Sequence, residues 1–309
     1  MAAHADFSGV IPPVVTPLTA DRELDRASLK RSIDRMIDRG VHGLFLLGSS
    51  SEVVFCTDSR RREIVETGIE AAAGRVPVLV GVIDAQTERM VEHARAAREL
   101  GADAVVATAP FYALGGPDEI EANFRAIREE VDLPLFAYDL PVCVHKKLDA
   151  DMLVRLGSER VLAGVKDSSG DDVNFRFLVQ KNRAAGSPLK LFTGHEVVVD
   201  GAFLSGADGV VPGLGNVDPC GYVQQYKAYR EGDWEAVVQI QDRLALLMTI
   251  TSVTEGAVGF GAGVGAFKTA LQLLGVFETN QMPRPVRALE GGNVEAVRNV
   301  LVAAGMLAR

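Results

Sequence analysis

A lysine closes an apolar run near the middle of the chain. Leu162-Ala163-Gly164-Val165 has the makeup of a short buried strand, Lys166 ends it, and Asp167-Ser168-Ser169-Gly170 turns away at once. An ammonium in that place has to be paired, reach water along its own methylenes, or give up its proton. Desolvation favours the third course, and a neutral amine is a nucleophile toward carbonyl carbon. The competing reading is an ion pair with Asp167 that caps the sheet, the ordinary fate of a lysine.

Three more stretches hold groups that could work with such an amine. Residues 135–138 end in Tyr138 and lead into Asp139-Leu140-Pro141. Residues 104–107 lead into Pro110-Phe111-Tyr112, and residues 43–47 into Gly48-Ser49-Ser50-Ser51-Glu52. Taken singly, a tyrosine after an apolar run packs, and a serine-rich loop is a turn. Small hydroxyl residues after a glycine also offer N–H and O–H donors to an anion of carboxylate size. An amine, two phenols and such a cradle on one face are what imine chemistry on a 2-oxo acid needs: nucleophile, proton relay and carboxylate site.

All four stretches follow short apolar runs. Such runs lie at 9–18, 43–47, 76–82, 104–107, 135–138, 162–165, 189–192 and 209–211. Helical periodicity between them predicts helices over 27–40, 58–73, 87–101, 117–131, 150–156, 172–182 and 197–205. Continuous rather than alternating apolar strands belong to a parallel sheet covered on both faces. Eight βα units close a barrel, whose active face is the C-terminal ends of its strands. A doubly wound sheet lacks its glycine-rich turn, since Pro17-Leu18 follows the first strand. The expected fold is α/β, a (β/α)8 TIM barrel with a C-terminal helical extension, in which Tyr138 and Lys166 sit on neighbouring strands. The barrel is assigned to residues 1–230 and the extension to 231–309. Helices are expected over 220–230, 235–251, 266–274 and 294–307. Residues 255–265 (EGAVGFGAGVG) lack the Lys-Ser/Thr ending of a phosphate loop and read as a flexible connection.

Composition excludes other classes. Of 309 residues, 48% are hydrophobic and 24% charged, as in a globular protein, and the net charge is -9. No basic stripe is present, so neither a nucleic acid nor an anionic membrane is an expected partner. Arg60 to Glu63 (RRRE) reads as a solvated face at a helix start. The three cysteines and five histidines show no metal-ligand spacing, so no metal or other cofactor is expected. An odd cysteine count, the lack of a signal-like N-terminus and the absence of any 18-residue apolar run point to the cytoplasm.

Three motifs in order, GxxxE at Gly48–Glu52, YxxP at Tyr138–Pro141 and GVKDSSGD from Gly164, resemble the dihydrodipicolinate synthase / N-acetylneuraminate lyase family. The resemblance runs from about Gly9 to the last helices. It implies a pyruvate-dependent class I aldolase or dehydratase on a (β/α)8 barrel, taking a small 2-oxo acid and assembling as a dimer or a dimer-of-dimers homotetramer. By this likeness Lys166 forms the imine and Tyr138 relays the proton through Ser49. Ser49 and Ser50 hold the carboxylate with Ser51 beside them, and Tyr112 is donated across a dimer interface. Gly194, His195 and Glu196 match the loop that faces the variable end of the substrate.

The chain departs from the pattern at three places. Ser51 stands where the family usually has glycine, a change that bears on backbone geometry. Asp139 replaces the common asparagine beside the tyrosine. Cys143 stands where dihydrodipicolinate synthases carry an arginine for the distal carboxylate of aspartate semialdehyde, and a thiol cannot make that bidentate contact. Cys143 and His145 are therefore placed among the substrate-binding groups. The reading that follows is an aldolase or lyase for a 2-oxo-3-deoxy sugar acid or sialic-acid-like substrate. Dihydrodipicolinate synthase with a relocated carboxylate contact is one alternative; a non-catalytic 2-oxo-acid-binding barrel is another.

Overall fold

Eight short strands, buried along nearly their whole length, carry the structure. A computed structural model describes residues 7–308. The strands are β1 (Gly9–Val10), β2 (Leu44–Leu46), β3 (Val78–Gly81), β4 (Ala104–Thr108), β5 (Leu135–Asp139), β6 (Gly164–Asp167), β7 (Lys190–Thr193) and β8 (Gly209–Val210). All pair in parallel, in the order β1-β8-β7-β6-β5-β4-β3-β2. The circle closes where the chain after β1 meets β2. Pro12 and Pro13 have no N–H to give, so the seam uses what is left. Val14 N–H donates to the Phe45 carbonyl at 2.8 Å, and Phe45 N–H donates to the Pro12 carbonyl at 3.0 Å. This is the barrel the alternating pattern predicts.

The covering helices are α1 (Arg26–Asp38), α2 (Asp58–Ala72), α3 (Thr87–Leu100), α4 (Pro117–Glu130), α5 (Pro141–Val144), α6 (Ala150–Ser158), α7 (Asp172–Ala184) and α8 (Val199–Ser205). Asp25, Thr57, Gln86, Asp149 and Asp171 each accept from the N–H three residues on. These caps satisfy donors that the first turn leaves open. The one-turn helix α5 was not expected. Pro141 sits at its first position, where a missing N–H costs nothing.

α9 (Pro219–Glu231) follows β8 as the helix of the eighth unit, and α10 (Trp234–Met248), α11 (Gly263–Leu273) and α12 (Gly292–Ala303) form the C-terminal helical part. Buried polar contacts tie these last helices to the strands. Asn216, just before α9, accepts from Val15 N–H at 3.0 Å and donates to the Pro13 carbonyl at 2.8 Å. Gln241 of α10 donates to the Glu196 carbonyl at 3.1 Å. α11 starts at Gly263, inside the stretch expected to be a connection. Val264 to Phe267 are buried there, and that packing outweighs the poor helix propensity of two glycines.

One expectation for the surface is overturned. Arg61, read as part of a solvated face, is buried, and its guanidinium donates to the Ile83 carbonyl at 3.0 Å and faces Asp84 at 3.8 Å. The helical period turns this one arginine of the run inward, where its stem packs and its head finds a carbonyl.

Candidate active site

Tyr138 on β5 and Lys166 on β6 are register partners. Both are almost fully buried, at 3% and 6% exposure. The Lys166 stem belongs to the barrel interior, among Ile11, Phe45, Phe136, Phe192 and Val211. Its Nζ lies 4.0 Å from the centre of the Tyr138 ring and 5.1 Å from that of Phe45. The expected competitor, a pair between Lys166 and Asp167, does not form. Asp167 faces the other way, since successive strand residues point to opposite faces, and Lys147 takes its carboxylate at 3.2 Å.

The loop after β7 crowds this amine. A methyl group at Gly194 would lie 2.0 Å from Ser168 Oγ and 3.2 Å from Lys166 Cε, so a side chain there would have to displace the serine hydroxyl and press on the lysine stem. Glu196 follows, its Oε2 accepting from Leu214 N–H at 2.7 Å. Burial raises its pKa against the opposing field of Lys166. A methyl at Gly213 would lie 3.1 Å from Glu196 Oε1 and 3.2 Å from Ser50 Oγ. Ser50 and Glu196, from the loops after β2 and β7, therefore approach one point of the loop after β8.

Within the serine loop, Ser49 and Ser50 are half-buried, while Ser51 is fully buried. The Ser51 hydroxyl donates to the Val14 carbonyl at 2.5 Å and accepts from Gly48 N–H at 3.2 Å. Both bonds join the loop to itself and to the segment after β1. A side chain at 51 does not strain the turn, because the left-handed residues are its neighbours Leu47 (φ 55°) and Glu52 (φ 61°). Glu52 is held in that conformation by Lys268 of α11 at 2.6 Å, both side chains being buried. Burial pushes the Glu52 carboxyl up and the Lys268 amine down, and each offsets part of the other's shift. Sequence reading missed this pair.

Matching the chain to known families decides its membership. The model of the dihydrodipicolinate synthetase family matches residues 6–304. The chain belongs to that family. A DapA-like lyase of uncharacterised function from Halobacterium salinarum is 32% identical over 300 residues, covering 97% of this chain and 94% of the relative. A probable 2-dehydro-3-deoxy-D-pentonate aldolase of Escherichia coli is 29% identical over 303 residues, covering 97% and 98%. Among solved structures, YagE from E. coli, a prophage protein crystallised with pyruvate, superposes with TM-score 0.92 at 26% identity, covering 98% of this chain and 100% of that one. This chain is an enzyme of that family's pyruvate-dependent lyase and aldolase class.

Other residues singled out by the family resemblance are more open to solvent than the Lys166 pair. Tyr112 is 96% exposed in a left-handed turn (φ 74°). Cys143 is exposed on α5, and His145 is exposed at its C-terminal cap. His195 turns outward, its Nδ1 3.2 Å from Asp172 on α7. Asp139, the departure from the family's asparagine, is fully buried and bonded to Lys147.

Proposed function

We propose that the chain cleaves or dehydrates a hydroxylated 3-deoxy-2-oxo sugar acid through an imine on Lys166. The observation that carries this reading is the Lys166 amine over the Tyr138 ring, without a carboxylate partner among the described residues. In the cleavage direction the amine adds to the C2 carbonyl and water leaves, forming the imine. Tyr138 removes the proton of the C4 hydroxyl, the C3–C4 bond breaks, and its electron pair is taken up as an enamine. A proton returned to C3 and hydrolysis of the imine then release pyruvate and the aldehyde. Ser49 and Ser50 are assigned to the carboxylate, by hydroxyl and backbone N–H. Glu196 is assigned to a substrate hydroxyl.

Dihydrodipicolinate synthesis is the second reading, and Cys143 counts against it. An exposed thiol offers no charge-assisted partner for the distal carboxylate of aspartate semialdehyde. We further propose a cytoplasmic homo-oligomer in which exposed Tyr112 reaches the neighbouring subunit's site, supported by the exposed apolar Leu114 two residues after it. Incubation with pyruvate and a panel of aldehydes, with products identified by mass, tests the substrate class. Condensation only with hydroxyaldehydes is expected. Turnover confined to aspartate semialdehyde would replace this reading with the synthase.

A further inference from the structure

Directly behind the reactive pair stands a second, buried pair. Asp139 and Asp167 are register partners on β5 and β6, one residue beyond Tyr138 and Lys166. They are 0% and 5% exposed. Two carboxylates in adjacent strand positions, both out of water, repel each other and resist ionising together. A single cation answers both. Lys147, from the segment between α5 and α6, bonds Asp139 Oδ2 and lies 3.2 Å from Asp167 Oδ2. Asp139 Oδ1 also accepts from Leu148 N–H at 3.2 Å, and Asp167 Oδ1 from Ser169 N–H at 2.8 Å.

We propose that Lys147 is a positioning residue for the Lys166–Tyr138 pair, required because this chain carries a carboxylate at Asp139. By bridging Asp139 and Asp167 it fixes β5 against β6 at the step that follows the reactive residues, and it cancels one of two buried negative charges behind the amine. It touches neither reacting group and acts through the strands. The other charged or titratable groups around this assembly are Tyr138, Glu196, whose field reaches Lys166, and Asp171, whose carboxyl feels Lys147. The inference rests on the imine reading and adds a part to it that the motifs do not contain.

The test compares the unaltered chain with Lys147→Met, Asp139→Asn and the double variant. Pyruvate adduct formation under borohydride is followed against pH, and thermal unfolding is measured alongside. Lys147→Met is expected to trap pyruvate on the order of tenfold to a hundredfold more slowly, the scale of a small displacement of reacting groups. Without the lysine, the buried Asp139 carboxyl, already raised by desolvation, loses the charge that pulls it down and holds its proton to higher pH, so trapping gains a dependence in the neutral range. Asp139→Asn in the Lys147→Met background is expected to restore the rate to within a few-fold and to abolish that dependence. A lysine that merely packs, or that meets the substrate, is not rescued in this way. If Lys147→Met fails to fold, a folded double variant with near-normal trapping still assigns the defect to Asp139. An unimpaired Lys147→Met, or a defect that Asp139→Asn leaves in place, overturns the proposal. Absence of an adduct on the unaltered chain instead overturns the imine reading itself.

Discussion

The Lys166 Nζ sits 4.0 Å from the centre of the Tyr138 ring, on a strand neighbour in exact register. Neither side chain can drift independently, because the main-chain ladder of β5 and β6 fixes their spacing. The Tyr138 ring is thereby held against the amine. Replacing Tyr138 by Phe keeps the packing and removes the proton carrier. Turnover is expected to fall by about 10²–10⁴ with the fold intact, the range for a general acid–base group. Steady-state rates near those of the unaltered enzyme would take the relay away from Tyr138.

The parts of this site differ in how visible they are before folding. Lys166, Tyr138 and the serine loop end apolar runs, so the barrel pattern alone puts them on one face. Lys147 was not legible. It stands next to Lys146 in a polar turn, and only the path of the chain after α5 decides which of the two reaches the buried carboxylates. Lys268 hides in an otherwise apolar helix face, and its partner Glu52 lies far away in sequence. The inward turn of Ser51 depends on the carbonyl of Val14, a contact made only when the barrel closes. Exposure of Tyr112 likewise follows from a left-handed turn that no local composition announces.

The buried Glu52–Lys268 pair couples the serine loop to α11. Lys268→Met strands a carboxylate in an apolar site, a loss of about 3–5 kcal/mol. Unfolding at neutral pH should come on the order of 5–10 °C earlier. The deficit should shrink as pH falls, because the folded state can then take up the proton that the raised Glu52 carboxyl favours. A melting temperature unchanged at pH 7 would show that the pair is not holding the loop.

Asp139 supplies a stability signature of its own. Burial pushes its carboxyl from 3.8 up to about 6, against the pull of Lys147. Between those values the folded chain binds a proton that the unfolded chain does not. Its contribution is therefore fully favourable below pH 3.8 and is lost as pH rises through about 6, a change of roughly 3 kcal/mol at most. Asp139→Asn removes this term. The melting temperature of the variant relative to the unaltered chain should rise between pH 4 and pH 7. A difference that stays constant or falls over that window would contradict the raised carboxyl.

If Cys143 occupies the distal-carboxylate position, its thiol sets selectivity. Losing a charge-assisted contact costs about 1.5–3 kcal/mol, or one to two decades in kcat/KM. On one preparation, kcat/KM for cleavage or dehydration of a 3-deoxy-2-oxo sugar acid should exceed that for condensation of pyruvate with aspartate semialdehyde. The reverse order would restore the synthase.

The imine on Lys166 is the centre of the account, and chemical trapping reads it directly. The enzyme is incubated with pyruvate and borohydride, digested, and the modified peptide sequenced by mass spectrometry. A stable adduct is expected on the peptide containing Lys166. It should be absent from Lys166→Arg, whose guanidinium stays protonated and cannot attack a carbonyl. An adduct on another lysine, or one that survives Lys166→Arg, would contradict the mechanism.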